Sequence, residues 1–332
     1  MRELPHRARK KDGRKRVQGE EIMRRIFYPK ETFAEGDELK ADSWIKVVNP
    51  TREDIEYLTE DLLIPEEFIA DIADSEERPH NDEEDGWELT VIRIPIHSGE
   101  SSAGSYTTVP IGILYSKERH LIVTVSYHRS ELMTDFIRHN RRKGNCAYTD
   151  VDFIFRLIYS SSVWYLKYLK RIATQLMEHE EALETSIRNE DLLNLMKIQR
   201  SLVYFSTSIK GNEAVVVKLK AMHRAKDYDE ELAEDMSIEL TQAYTTVNIY
   251  TEILTGTMDA FASVISNNVN TIMKRMTGVT ILLTLPTLIA SIFGMNVPLG
   301  LEEKPWALGF IILISLLLSI GLFFLLRKIK WF

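Results

Sequence analysis

One cysteine in 332 residues, Cys146, leaves nothing from which to build a disulfide framework or a cysteine-rich zinc site, and it suits a reducing compartment. Positive charge is also short: 41 Lys and Arg face 49 Asp and Glu, and the resulting net charge of −8 argues against a general nucleic-acid binder. No Walker loop, no Gly-x-Gly-x-x-Gly after a strand, no His-Glu-x-x-His and no Gly-x-Ser-x-Gly occurs. The eight histidines show no paired ligand spacing on the apolar helices. An enzyme, an ATP-coupled pump and an organic cofactor are therefore not expected. Before residue 277 there is no long apolar run either, which keeps the mean hydropathy at −0.15.

The apolar residues are instead collected at the C-terminal end. Residues 277–295 contain nineteen uncharged positions and residues 306–326 another twenty-one. As helices both reach about 30 Å, enough to cross a bilayer. The ten residues between them, 296–305, carry Glu302, Glu303 and Lys304, so the spans form a hairpin with an external acidic loop. Lys274 and Arg275 precede the first span, and Arg327, Lys328 and Lys330 follow the second within a basic tail, 327–332. The positive-inside rule then places both termini in the cytoplasm of a multi-pass protein of the cell (inner) membrane, with Trp306 and Trp331 as interfacial anchors. A pair of very apolar core helices in a soluble protein is the competing explanation.

Residues 1–18 form a basic tail: residues 1–16 hold eight Lys or Arg against Glu3 and Asp12. With no apolar run after it, the tail is not a secretory signal; a solvated arm near anionic headgroups is the simplest account. An α/β domain is expected over 19–149. Within it Trp44–Val48, Trp87–Ile96, Tyr106–Tyr115 and His120–Ser126 read as strands. Thr51–Leu62 reads as a helix with a capping box from Thr51 to Asp54, followed by a second helix after Pro65. Sixteen acidic and two basic side chains fall between residues 51 and 90, either a solvated face or a region that draws divalent cations. The run Asp82 to Asp85 has the look of a turn.

Strand patterns stop at residue 150. Over 150–225 the stripes Leu169, Ile172, Leu176, Leu183 and Leu195, Ile198, Leu202, Phe205, Ile209 predict long helices in mutual contact, broken near Asn189–Asp191. A polar stretch, His223–Asp229, interrupts them. From there to Met295 the only proline is Pro286, predicting one helix of about 69 residues, roughly 100 Å long, that starts as a stalk over 226–276 and continues through the first span.

One edge of that helix is unusual. Ser291, Thr287, Thr284, Thr280, Thr277, Met273, Asn270, Ser266, Ser263 and Asp259 recur at an average spacing of 3.5, the repeat of a seam that faces a partner helix or a symmetry axis. A coiled coil would place Leu, Ile and Val there. Hydroxyls and amides stand in their place, so the seam either packs dry, with hydroxyls bonded to their own helix, or touches water. Two spans cannot enclose a pore, so a wet seam requires several copies around an axis. Met273 and Met276 would then form an apolar ring able to close the path by dewetting.

The stripe ends at Phe293-Gly294-Met295-Asn296. A Gly-Met-Asn tripeptide at the outer end of the first of two C-terminal spans, after a hydroxyl-rich helix with Pro286 and before an acidic loop and a basic terminus, resembles the CorA family of magnesium and cobalt channels. The family often has tyrosine before the glycine, where this chain has Phe293. The resemblance implies an α+β cytoplasmic domain followed by long helices, two C-terminal transmembrane helices, and a funnel-shaped homopentamer. It further implies that Gly294, Met295 and Asn296 form a selectivity filter in which Asn296 holds the hydrated ion, and that Ser291, Thr287, Thr284, Thr280, Thr277 and Asn270 line the pore. Glu302 and Glu303 would gather cations at the mouth. Mg²⁺, with Co²⁺ and Ni²⁺ as further candidates, would be the transported ion and also a regulatory one. By ungapped count Asp235 and Asp259 fall at stalk positions where the family carries metal-binding carboxylates. Residues 226–239 hold seven acids and one lysine, and no basic residue lies between Asp227 and Met273, although the macrodipole alone favours acids at a helix start. Two rivals share parts of this pattern: a zinc transporter like the ZntB relatives, and a membrane-anchored coiled-coil scaffold without transport.

Overall fold

In the computed structural model, residues 24–31, 33–97, 106–143, 150–185, 189–223, 227–295, 306–329 and 331 are described. The basic tail 1–18, the external loop with Asn296, Glu302 and Glu303, and the last residue lie outside them. The described residues fall into two units, one running to Leu254 and one from Thr255, with the boundary inside a single helix.

The first unit is built on a seven-stranded sheet. Its strands are β1 (Arg24–Tyr28), β2 (Ala34–Gly36), β3 (Ser43–Val48), β4 (His80–Glu84), β5 (Trp87–His97), β6 (Tyr106–Ser116) and β7 (Leu121–Ser126), in the order β2-β1-β3-β7-β6-β5-β4. Only β3 and β7 run parallel. The expected strands are present within a residue or two. β1, β2 and β4 are additional.

Asp82–Glu84 belong to β4, paired with Leu89, Glu88 and Trp87, and only Asp85 and Gly86 make the turn. Both turn residues have positive φ, 48° and 77°, as a two-residue hairpin of matching twist requires. The run was expected as a turn because exposed acids carry no apolar alternation.

Helices cover both faces of the sheet, which is why β5, β6 and β7 are buried almost without alternation. Against one face lie α1 (Arg52–Glu56), a wide turn over Tyr57–Asp61, and α2 (Glu66–Ala73), with Leu58, Phe68 and Ile72 in a core shared with Ile45, Val91, Leu114 and Val123. The capping box of α1 forms as expected, Thr51 and Asp54 each receiving the other's backbone N–H. α2 approaches the sheet at Gly112, where a Cβ would lie 2.1 Å from Ile72 Cδ1.

The opposite face carries α3 (Glu131–Lys143), α4 (Asp150–Thr185) and α5 (Asn189–Met222). Trp44, Phe33, Phe136 and Phe153 form an aromatic nest there, with Trp44 Nε1 donating to Thr124 Oγ1 at 2.9 Å.

A polar seam fixes α5 on this face. Fully buried Asn212 accepts from the Arg93 N–H at 2.9 Å and donates to the Arg93 carbonyl at 2.8 Å, as though it were a residue of a neighbouring strand. Tyr165 Oη of α4 donates to the same carbonyl at 3.0 Å, and Ser201 Oγ accepts from the Tyr106 N–H at 3.0 Å. The Arg93 guanidinium in turn reaches the carbonyls of Ser75 and Glu77 at 2.9 and 2.8 Å, tying down the acidic segment before β4.

α6 runs from Glu230 to Phe293 through Pro286, 64 residues where about 69 were expected. α7 spans Ala307–Lys328. These are the two helices, among the described residues, long and apolar enough to cross a membrane.

Replacing Asn212 by leucine keeps the volume but strands the Arg93 N–H and leaves the Arg93 carbonyl with only the Tyr165 donor. It should lower the unfolding free energy of the detergent-solubilised chain by about 1–3 kcal/mol. Urea unfolding followed by tryptophan fluorescence measures it; an unchanged midpoint would show that the seam does not hold α5.

Candidate functional site

The chemistry-bearing residues lie on α6. Its start is capped by Asp229, whose Oδ1 accepts the N–H groups of Glu231 and Leu232 at 3.1 and 3.3 Å. Asp152, buried at the start of α4, accepts the Asp229 N–H at 2.8 Å. Ala233, Met236, Leu240, Ala243 and Val247 are buried at 3,4,3,4 spacing and dock the helix onto the first unit. From α5, Lys220 Nζ donates to the Ala233 carbonyl at 3.0 Å and to Ser237 Oγ at 2.8 Å.

Asp235 is exposed, and so is Asp259 in the second unit. Asp235 and Glu239 face Tyr159 of α4, whose hydroxyl is pushed above its ordinary range by burial and then by these two carboxylates. No group of three or more His, Cys, Asp or Glu side chains among the described residues is arranged to hold a metal ion. An ion at Asp235 or Asp259 therefore needs ligands from another copy or water. The macrodipole accounts for Glu230 and Glu231 in the first turn, but Asp235 stands beyond it.

In the second unit each span has one partly covered flank. On α6 it is Gly278, Leu282, Leu285, Pro286 and Ile289; on α7 it is Ile311, Ser315, Ser319, Leu322 and Leu326. The hydroxyl stripe stands on the other side of α6. At about 100° per residue, Thr277, Thr280, Thr284, Thr287 and Ser291 are centred roughly half a turn from the covered flank. All five are exposed, as are Asn270, Met273 and Met276, the two methionines at 60% and 67%.

The threonine hydroxyls are not free in both senses. Thr280 Oγ1 donates to the Met276 carbonyl at 2.9 Å, Thr284 to Thr280 at 2.8 Å and Thr287 to Leu283 at 2.9 Å. Below them Ser263 Oγ donates to the Asp259 carbonyl at 3.0 Å. A hydroxyl has one hydrogen and two acceptor sites. With the hydrogen committed inward, what remains along this edge is a ladder of acceptors. The two alternatives left open by the sequence are thus not exclusive: back-bonding hides the donors and leaves the oxygens available to water.

α6 ends at Phe293. The Gly294 N–H still bonds the Ala290 carbonyl at 2.9 Å, and a Cβ on Gly294 would sit 3.2 Å from that oxygen, so glycine lets the chain leave the helix tightly. Met295 is exposed, and its N–H reaches the Ile292 carbonyl at 3.4 Å. Residues that position the acidic segment were not visible in the sequence: besides Arg93, Lys218 Nζ donates to the Asn81 carbonyl at 2.6 Å, and Gly211 of α5 lets Pro79 approach to where a Cβ would be 2.7 Å from its ring.

Comparison with known proteins agrees with this architecture along most of its length. The chain is 24% identical over 296 residues to the cobalt/magnesium transport protein CorA of Methanocaldococcus jannaschii, covering 87% of this chain and 90% of that one. It is 22% identical over 276 residues to the magnesium transport protein CorA of Helicobacter pylori, covering 81% and 83%. The complete structure of the CorA magnesium transporter from M. jannaschii superposes with a TM-score of 0.80 at 21% identity, over 94% of this chain and 99% of that one. The family model described as CorA-like Mg²⁺ transporter protein matches residues 40–328, and the chain belongs to that family.

Proposed function

We propose that this protein is the subunit of a channel that carries Mg²⁺, and also Co²⁺ and Ni²⁺, across the cell membrane into the cytoplasm, assembled as a homopentamer with α6 of each copy around the axis. The relatives' names, magnesium and cobalt/magnesium transport proteins, support the cargo. The observation that carries the reading is the acceptor ladder of Thr280, Thr284 and Thr287 on the exposed edge of α6.

A hydrated Mg²⁺ keeps its waters at about 2.0–2.1 Å and gives them up reluctantly. Those waters point their hydrogens outward, so a lumen suited to the hydrated ion offers oxygens with free lone pairs and no competing donors. Asn270 continues the polar edge toward the cytoplasm, and a ring of Met273 with Met276 interrupts it as a dewetting gate. At the outer end Asn296, the residue that follows Met295 in the sequence, would supply an amide oxygen that bonds the hydrated ion without trapping it as a carboxylate ring would. Glu302 and Glu303 raise the cation concentration at the entrance. An inside-negative potential supplies the driving force, about 2.3 kcal/mol per charge per 100 mV and so about twice that for a divalent ion. Both termini lie in the cytoplasm. There Mg²⁺ at Asp235 and Asp259, held between copies, relieves the repulsion of the acidic stalk and keeps the assembly closed.

Mg²⁺ influx into liposomes containing only this protein, under an imposed potential, tests the reading. Asn296→Ala should abolish influx while the oligomer stays intact; undiminished influx would overturn the filter, and uptake blocked by Zn²⁺ but not by excess Mg²⁺ would replace the cargo. Thr284→Ser should conduct nearly as wild type, whereas the isosteric Thr284→Val should lose roughly tenfold for each ~1.4 kcal/mol of lost hydrogen bonding in the lumen. Equal flux from both would refute the ladder. Finally, Mg²⁺ should protect the wild-type cytoplasmic part from protease, and Asp235→Ala combined with Asp259→Ala should weaken that protection. Identical wild-type digestion with and without Mg²⁺ would remove the regulatory sites.

A further inference from the structure

Charge is distributed one-sidedly at the ends of the two spans. Lys274 and Arg275 stand just before the first span on α6, and Arg327 and Lys328 close the last turn of α7; all four side chains are exposed. From Met276 to Met295 and from Trp306 to Leu326 there is no charge of either sign, so the far ends of both helices are bare. In the second unit the one acid among the described residues is Asp259. It lies about 22 Å back along α6 from Lys274, well beyond the roughly 8 Å over which surface charges act at physiological salt. The four cations therefore have no carboxylate of their own unit to answer them.

Their placement turns them away from the hydroxyl stripe. At about 100° per residue, Met273 falls on the centre line of the stripe, whereas Lys274 lies roughly 100° and Arg275 roughly 160° round from it. On α7, Arg327 and Lys328 fall to either side of the partly covered row that ends at Leu326, each by roughly 120–140°. An aromatic ring stands at the same level. The Ile329 N–H bonds the Leu325 carbonyl and the Trp331 N–H the Leu326 carbonyl, both at 3.1 Å, so the chain folds back over the last turn of α7 and holds Trp331 half-buried there.

Cations directed outward from a span, with an indole at their depth, are the groups that meet phosphate oxygens at a membrane surface. Left without counterions they oppose conduction, because a divalent ion passing Met273 meets a collar of like sign that each added copy makes stronger. We propose that anionic phospholipid of the cytoplasmic leaflet is a bound partner of this collar. Its phosphodiester groups pair with Lys274 and Arg275 on α6 and with Arg327 and Lys328 on α7, and so supply the negative charge that the second unit lacks. The second unit of a neighbouring copy is the poorer counterpart, since it brings the same four cations and the same distant acid. A soluble anion has the right charge, but the outward direction of the side chains and the level of Trp331 favour a partner anchored in the bilayer. The binding is independent of the proposed function; the leaflet and the effect on flux rest on it.

Native mass spectrometry of the full-length protein, released from micelles that carry equal parts of phosphatidylcholine and phosphatidylglycerol, tests the binding. The wild type should retain phosphatidylglycerol in preference. Joint replacement by Lys274→Gln, Arg275→Gln, Arg327→Gln and Lys328→Gln should abolish the preference, whereas Arg275→Lys with Arg327→Lys, which keeps both the charge and the orientation signal, should preserve it. Equal retention of the two lipids by the wild type, or a preference that survives in the glutamine variant, would overturn the proposal. In vesicles, Mg²⁺ influx through the wild type should rise several-fold from phosphatidylcholine alone to the equal mixture, while the glutamine variant, exposed to the same vesicle charge, should conduct alike in both. Inorganic phosphate enclosed in phosphatidylcholine vesicles should not replace the lipid; full restoration of influx by it would assign the collar to a soluble anion instead. A wild type that conducts in neither vesicle yet retains phosphatidylglycerol would sink the proposed function and leave the lipid site standing.

Discussion

A hydroxyl group has one hydrogen to give, and the destination of that hydrogen decides what the exposed edge of α6 can do. A bilayer-crossing helix cannot leave donors unmatched against hydrocarbon or a dry neighbour. An edge meant for hydrated cations, in contrast, must keep acceptors in reserve. Sending the hydrogens of Thr280, Thr284 and Thr287 to carbonyls one turn back meets both demands with the same side chains. Leucine would satisfy only the first. Asparagine can send one amide hydrogen to a carbonyl one turn back, as Asn140 does to Phe136, but it has a second to place, and it stands instead below the span at Asn270 and, in the sequence, beyond it at Asn296. Pro286 disturbs none of this, because the backbone bond it removes belongs to Leu282, on the covered flank.

Much of this was legible from the residues alone, since helices and spans announce themselves by period and length. The 3,4 repeat from Leu195 to Ile209 is buried in α5, and Glu230–Phe293 is one helix as the scarcity of breakers implied. What stayed hidden depends on partners distant in sequence. β4 reads His-Asn-Asp-Glu-Glu and has no apolar face; it is a strand because β5 offers a ladder to it. β2 has three residues and no pattern at all. α3 is hidden in a basic, polar run, its two buried turns supplied by Leu132, Met133, Phe136 and Ile137. Asn212 is one amide among many until Arg93, 119 positions away, lies against it. For the candidate site the stripe and its polarity could be read, but the direction of each hydroxyl hydrogen could not.

The acidic segment before and within β4 is held from three sides. Arg93 takes the carbonyls of Ser75 and Glu77, Lys218 takes that of Asn81, and Gly211 admits Pro79 against α5. Each grip is on backbone or on a proline ring, and the side chains of Asp74, Glu76, Asp82, Glu83, Glu84 and Asp85 are left exposed. Cationic anchors thus fix a run of acids in place without neutralising it, leaving a concentrated negative field available to ions from solution. At its edge, burial first and then Glu77 raise the Asp71 carboxyl of α2 above the ordinary range in spite of His80 nearby.

The two borders of the sheet have a consequence for how copies of the chain can meet. One border, β2, is three residues long with Glu35 clamped by Arg25; the other, β4, displays Asp82, Glu83 and Glu84 in succession. A truncated border and one bristling with like charge both resist recruitment of a foreign strand, the route by which sheets polymerise into fibrils. Edge-to-edge growth is thereby disfavoured at the described borders, which leaves the helical surfaces as the faces where side chain can dock against side chain.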